Sequence, residues 1–417
     1  MATLDRTSSA PPPAARALLP IFFIVLVDIF GFTLVFPLLA IYAEHFHASP
    51  LEATLLVSVY AVCQLFSGPF LGRVSDKIGR KPMLLVSQIG TFIGFIVMAR
   101  ANALWMLYVA RVIDGATAGN LSLAQAYISD NTLPENRAKS FGIIGIAFGI
   151  GFFIGPMVTG YLTDYGLNAP IYAAAGLSFS SILLTALILP GGAPHPSSVE
   201  TGDAGPGGKR VSVFAFGAYA EFFQRPVLKG LFLQFACFAF AFSTFTSGFA
   251  LFAERTFTFH GHPFGPKEIG YVFGYAGFLG IILQGGLIGR LVKRFGEAKL
   301  VLAGFASLVV GYVLLGLVGT LGLLVVVATI SSFGNGILRP ALTSLITQSA
   351  GKREQGVVLG LNQSITSVAQ ISAPILGGLL IERGLLGPWA FVAAFAALLG
   401  VVGSRWGSRV AKGVTAA

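Results

Sequence analysis

The stretch Gly72-Arg73-Val74-Ser75-Asp76-Lys77-Ile78-Gly79 returns later in the chain as Gly289-Arg290-Leu291-Val292-Lys293-Arg294-Phe295-Gly296, and this pair decides the fold. Each copy is a short basic turn between two long apolar segments, at the same place in its half of the chain. A chain that repeats a set of apolar segments around one such turn has arisen by internal duplication, and duplicated halves are the mark of a secondary transporter. A shift of about 218 positions also brings Gly142 near Gly360, Pro156 onto Pro374 and Gly160 onto Gly378. The nearly constant offset separates these matches from chance pairing of glycines in a chain that holds 53 of them.

Outward from the two turns, long apolar segments lie at 18–42, 54–71, 83–99, 103–126, 141–162, 171–189, 228–253, 269–291, 300–319, 321–346, 357–381 and 389–402. A helix crosses the hydrocarbon of a bilayer with about 20 such residues. With 55% of its 417 residues hydrophobic and 11% charged, the chain lacks the polar material to cover a water-facing surface. The expected fold is an all-α membrane protein of twelve transmembrane helices in two pseudo-symmetric six-helix bundles. The expected divisions are a tail at 1–17, a first bundle at 18–189, a linker at 190–226, a second bundle at 227–404 and a tail at 405–417. The linker's first part, 191–208, is rich in Gly, Pro and Ser, the composition of a flexible connection.

The net charge of +10 would suit a nucleic-acid partner, but its placement explains it better. Nearly every Lys and Arg falls on the side that holds both chain ends and the two basic turns. Only Arg100, Arg255, Lys267 and Arg383 fall opposite, while Arg111 and Arg339 lie inside spans. By the positive-inside rule both termini and the linker are expected in the cytoplasm, the chain in the inner (plasma) membrane, and no nucleic acid as partner. The first span is too long for a secretory signal and lacks a following processing site, so it is expected to stay. Cys63 and Cys237 each fall within a span, with no disulfide framework or metal spacing, so no metal and no cofactor are expected. The absence of a G-x-x-x-x-G-K-[ST] loop argues against ATP as energy source and leaves an ion gradient. No Cys/His nucleophile pair or intramembrane His points to an enzyme.

Leu71-Gly72-Arg73-Val74-Ser75-Asp76-Lys77-Ile78-Gly79-Arg80-Lys81-Pro82 resembles the signature of the major facilitator superfamily between its second and third helices. Arg111-Val112-Ile113-Asp114-Gly115 resembles that superfamily's helix 4 arginine motif, and Gly145, Gly149, Gly151, Gly155, Pro156 and Gly160 resemble its antiporter motif in helix 5. With Asp28-Ile29-Phe30-Gly31 through Pro37 and Ala103-Leu104-Trp105-Met106-Leu107-Tyr108, the whole chain is similar to bacterial tetracycline–proton antiporters and related drug exporters. The resemblance implies two bundles that rock about a midplane site and export a small amphipathic compound against entering protons. It implies that Gly72, Arg73, Asp76, Gly79, Arg80 and Lys81 gate the cytoplasmic side, that helix 5 forms a sealed hinge through Gly151, Gly155, Pro156 and Gly160, and that helix 7 borders the central cavity. The partners it implies are a small-molecule substrate, protons and membrane lipid, and the chain is expected to act as a monomer.

Of 17 acidic residues only Asp28 and Asp114 stand deep within spans. A charge there costs about 2.5–3.5 kcal/mol on insertion scales, so each needs a partner, a water-filled cavity or a proton. Asp28 is about 15 Å into helix 1, and Arg111 a similar distance into helix 4 from the other side, so the two are expected to meet. Their contact is read either as a proton site that Arg111 tunes or as a static pair. Asp114, three residues after Arg111, is either its local partner or a second proton site. Arg339 is either an anion-attracting group in the cavity wall or a side chain that snorkels to lipid headgroups. Phe235, Phe238, Phe242, Phe245, Phe249 and Phe252 repeat at helical spacing on one face, as a stacking surface for a flat substrate or as ordinary packing and lipid contact. Gln284, Asn335, Asn362, Gln363 and Gln370 are polar groups for the cavity or for joining helices.

One departure qualifies the resemblance. The further intramembrane acids and the histidine of tetracycline exporters correspond here to Gly94, Gly280 and Leu308, while Gln284 is kept, so a relative with another substrate fits at least as well. An organic-anion or metabolite transporter, with Arg339 and Arg111 on the negative group, and a lipid flippase are the rivals.

Overall fold

The computed structural model describes residues 13–130, 137–190, 221–350 and 354–414. The expected linker lies outside these residues from 191 to 220, as do the extreme ends of both expected tails. The first bundle contains α1 (Pro13–Val35), the short α2 (Leu39–Glu44), α3 (Pro50–Ile78), α4 (Arg80–Ala99), α5 (Leu104–Ala116), α6 (Asn120–Asp130), α7 (Arg137–Leu162) and α8 (Ala169–Leu187). The second contains α9 (Pro226–Thr256), α10 (Pro266–Ile282), α11 (Ile288–Phe295), α12 (Glu297–Gly316), α13 (Leu321–Ser349), α14 (Gln355–Glu382) and α15 (Leu386–Val414).

Among the described residues ten stretches are long and apolar enough to cross a membrane. The other two expected spans are the first and the fourth, and each is broken for a local reason. Pro37 sits in a turn that separates α1 from α2, because proline lacks the N–H a continuing helix requires. In the fourth span the helix stops at Thr117, whose Oγ1 turns back to the carbonyls of Ile113 and Asp114. Ser87 of α4 fills the gap, donating to the Thr117 carbonyl (2.5 Å) and accepting from the Gly119 N–H (2.9 Å). The eighth span is continuous but changes winding: Leu283–Leu287, between α10 and α11, is π-helical. The last helix runs on to Val414, past the expected limit at 404.

Sequence signals set several helix starts. Ser49 and Glu52 form a reciprocal capping box at α3, and Pro50, Pro226 and Pro266 occupy first positions where no donor is needed. The two basic turns share their geometry as well as their letters. Gly79 (φ +108°) joins α3 to α4 and Gly296 (φ +79°) joins α11 to α12, both in conformations that favour glycine. A two-stranded ribbon, Thr258–Phe259 with His262–Pro263, closes the loop after α9.

The halves meet along two seams, α3 with α14 and α7 with α10. Both are tight on the face away from the chain ends. Thr54 and Ser58 donate to the Pro374 and Ile371 carbonyls (2.9 Å each), and a methyl on Gly277 would stand 2.6 Å from the Phe152 carbonyl oxygen. Towards the terminal face the same helices part, since Gly68 and Gly72 on α3, Gly360 on α14, and Gly280, Gly285, Gly286 and Gly289 on the eighth span have open space at the Cβ position. The apolar cores agree. One buried cluster runs unbroken from Leu38, Tyr42 and Leu56 to Phe249, Ile269 and Trp389, whereas Ile21, Leu71, Met83, Leu123 and Leu189 near the terminal face form a cluster of the first half alone.

Candidate functional site

α1 brings Asp28 into the first bundle because α7 and α8 leave room for it. Thr33 donates to the Gly151 carbonyl (2.9 Å), Thr159 to the Leu34 carbonyl (2.6 Å), and Gly155 packs so closely on Thr33 that no side chain fits. The opposite edge of α7 carries Pro156, whose carbonyl meets Gly270 of α10, and Gly160, where a methyl would lie 2.9 Å from the Lys267 Cα. The expected helix 5 motif thus seats α1 on one edge and the second bundle on the other.

The Asp28 carboxylate lies against Gln88 of α4 and Ser181 of α8, and Gln88 Nε2 donates to Ser181 Oγ (2.8 Å). Arg111 does not reach it. The guanidinium pairs instead with Asp114 (3.2 Å) and stands over the Tyr60 ring, 5.6 Å from its centroid. The expected Asp28–Arg111 contact is therefore corrected: one helical turn places Asp114 beside Arg111, and the nearer carboxylate takes the cation. Thr91 flanks Asp114, and Gln64 donates to the Tyr60 hydroxyl (3.1 Å). Arg111 and Asp114 are both buried, and Arg111 Nε and Gln88 Oε1 are buried without a hydrogen-bond partner. The site thus separates a carboxylate with a cation from a carboxylate that has only neutral partners among the described residues. Gln88, Ser181, Thr91 and Tyr60 were not picked out from sequence, and their only signal is polarity within spans.

The expected gate residues form a cluster inside the first half. Arg80 pairs with Asp76 (2.6 Å) and with Asp130 at the end of α6 (2.8 Å), and donates to Ser75 Oγ (2.5 Å). Lys81 donates to the Ala186 and Leu189 carbonyls, and Arg73 to the Pro69 carbonyl. In the second half Glu297 stands at the position that matches Arg80 and accepts from Ser344 (2.6 Å) and Gln348. On the far face, among the described residues, two ion pairs join the halves: Glu44 with Arg255 (2.5 Å), beside Glu254, and Asp164 with Lys267 (2.8 Å).

The phenylalanine face of α9 serves mainly to pack the second half. Phe235, Phe238, Phe249 and Phe252 are buried, Phe252 stacks on Trp389 (5.0 Å) and Phe249 meets Phe273 edge-on. Of the rings expected in the cavity wall, Phe235 and Phe238 are buried, while Phe242 and Phe245 are half-buried. Phe245 stacks on Tyr312 (5.5 Å), whose hydroxyl receives Asn335 Nδ2 (3.5 Å). Gln284, in the π-helical segment, and Gln363 are exposed, Gln370 is half-buried, and Asn362 is buried with neither side-chain polar atom paired. Arg339 does not run to a helix end. Its guanidinium lies 5.9 Å from the Phe148 ring centroid, across the interface between halves and near the middle of α7.

The Major Facilitator Superfamily model matches residues 21–288 and 285–414. The chain is 30% identical over 367 residues to tetracycline resistance protein, class C, of Escherichia coli, covering 87% of this chain and 88% of that one. It is 28% identical over 393 residues to multidrug resistance protein 2 of Bacillus subtilis (strain 168), covering 91% and 93%. Among solved structures it is similar to the human organic anion transporter MFSD10 (TM-score 0.70, 22% identity, 94% and 100% covered). It is also similar to the nucleoside transporter NupG (TM-score 0.77, 14% identity, 94% and 99% covered). At these identities the solved structures bear on the fold.

Proposed function

Because this multi-pass membrane chain belongs to the Major Facilitator Superfamily, we propose that it exports small amphipathic organic compounds, drugs of the kind its resistance relatives are named for, in exchange for protons. The observation that carries this reading is the division of charge in the first bundle. Asp114 holds Arg111, and among the described residues Asp28 has the neutral partners Gln88 and Ser181. A lone carboxylate at this depth costs about 2.5–3.5 kcal/mol on insertion scales. Binding a proton removes that cost, and water entering the cleft lowers it. Asp28 therefore holds a proton when sealed from water and releases it when its side of the cleft opens.

Alternating access is the rocking of residues 18–189 against 227–404. The described state is closed on the far face by the α3–α14 and α7–α10 seams and open on the terminal face, which we assign to the cytoplasm from its excess of Lys and Arg. Substrate enters there. In the outward-open state the far-face ion pairs part and the Asp76–Arg80 turn meets the second half, holding the cytoplasmic face shut. The protein works as a monomer in the plasma membrane, and its chemistry is binding and transfer only.

The test is proton movement in liposomes carrying the purified protein, on addition of a panel of drugs, with wild type and Asp28→Asn. Drug-induced proton flux in wild type and none in the variant is expected. Drug movement without proton flux in either protein would remove the antiport mechanism.

A further inference from the structure

The proton site accounts for the first bundle and leaves an unmatched set of polar groups in the second. Ser332, Asn335 and Arg339 are spaced three and four apart and share one face of α13. Ser332 Oγ and Asn335 Oδ1 are buried with no hydrogen-bond partner among the described residues. No carboxylate among the described residues pairs with Arg339; it touches the Phe148 ring of the other half and keeps accessible surface. It stands ten residues, about 15 Å, from the end of α13, at a depth where a charge needs a partner. A guanidinium resting on an aromatic face keeps its in-plane N–H donors free, and that edge fits a carboxylate bidentately. Buried polar atoms left unpaired on the same helix face cost free energy unless a ligand or water fills them. From the same helix face, Asn335 leads through the Tyr312 hydroxyl to the half-buried ring of Phe245.

We propose that Arg339, with Ser332 and Asn335, is the binding site for a carboxylate-type anionic group on the exported compound, so that the preferred substrates are aromatic amphipaths bearing an acidic group. This rests on the export reading above and names its substrate class. The ring of such a compound lies towards Phe148 and Phe245, its acid on the free edge of Arg339, and its polar substituents on Ser332 and Asn335.

The test is binding to the purified full-length protein in detergent, followed by tryptophan fluorescence, using matched pairs of aromatic amphipaths that differ only as free acid and ethyl ester, norfloxacin and its ethyl ester among them. Wild type is expected to bind at least one acid about tenfold or more tightly than its ester. Arg339→Gln loses that preference, and Arg339→Lys keeps part of it. Asn335→Asp, which sets a negative charge one turn from Arg339 without removing it, loses the preference as well and guards against a folding defect in the first variant. An ester bound as well as its acid throughout the panel, no binding of any acid, or an acid preference unchanged in both Arg339→Gln and Asn335→Asp would overturn the proposal. Failure here with intact proton-coupled movement of cationic drugs leaves the antiport reading standing. Acid preference without proton coupling in any assay removes that reading and keeps this site.

Discussion

Arg111 and Asp114 are buried together, so removing one partner exposes the full cost of the other. Breaking a buried ion pair from one side costs about 3–5 kcal/mol, whereas replacing both charges by neutral groups is often close to neutral. Arg111→Gln is accordingly expected to lower the thermal unfolding midpoint in detergent sharply, and Arg111→Gln with Asp114→Asn to recover most of the loss. If the double variant is as unstable as the single one, the pair is not what Arg111 serves. Of the two readings the sequence offered for Asp114, the structure makes it the local partner of Arg111, while the expected meeting of Asp28 with Arg111 does not occur. Local spacing favours Asp114, and the neutral partners of Asp28 come from α4 and α8, whose approach depends on bundle packing. The face of α13 that carries Arg339 is also a matter of packing, because Leu338 must face Gly304 and Gly336 must face Leu283.

The eighth span is tight against α7 at Gly277 and still meets it at Ile281, its glycines at 280, 285, 286 and 289 have open space at the Cβ position, and its winding changes at Leu283–Leu287. A π-helical turn of this kind marks a place where a helix bends, and here it falls where the halves part. Gly285 and Gly286 have open space at the Cβ position, so alanine fits, and each replacement favours regular helix by up to about 1 kcal/mol. Gly285→Ala with Gly286→Ala is expected to leave the unfolding midpoint unchanged or raised and to slow drug-driven transport in liposomes. Unaltered transport would mean that this turn does not bend during the cycle. Apolar length located this span, whereas the first was read as one segment, 18–42, through Pro37, where the structure has a turn. The π turn and the stop at Thr117 left no mark in the hydrophobic pattern, because neither interrupts it, and the second depends on Ser87 in a neighbouring helix.

Across the whole molecule, the far face is held by few charged contacts, of which Glu44–Arg255 is partly exposed. Such a pair contributes up to about 1 kcal/mol, or about fivefold in the ratio of closed to open states. Reversing it with Glu44→Lys is expected to raise the labelling rate of a cysteine placed at Thr246, in the small cleft beneath that face, by up to about fivefold in a Cys63→Ser, Cys237→Ser background. Adding Arg255→Glu should restore the slow rate, and equal labelling in all three would rule the pair out as a latch. The two-half plan was legible in the repeated turns; the open and closed faces were not, since either state satisfies the same hydrophobic pattern. The seams themselves are made largely where glycine meets backbone: Gly270 against Pro156, Gly277 against Phe152, Gly378 against Leu51 and Pro50. Surfaces of this kind trap few rotatable side chains, so parting them releases little conformational freedom and rejoining them fixes little. The rocking step should therefore gain little activation entropy from freed side chains, as two smooth plates slide where interlocked teeth would have to be lifted apart.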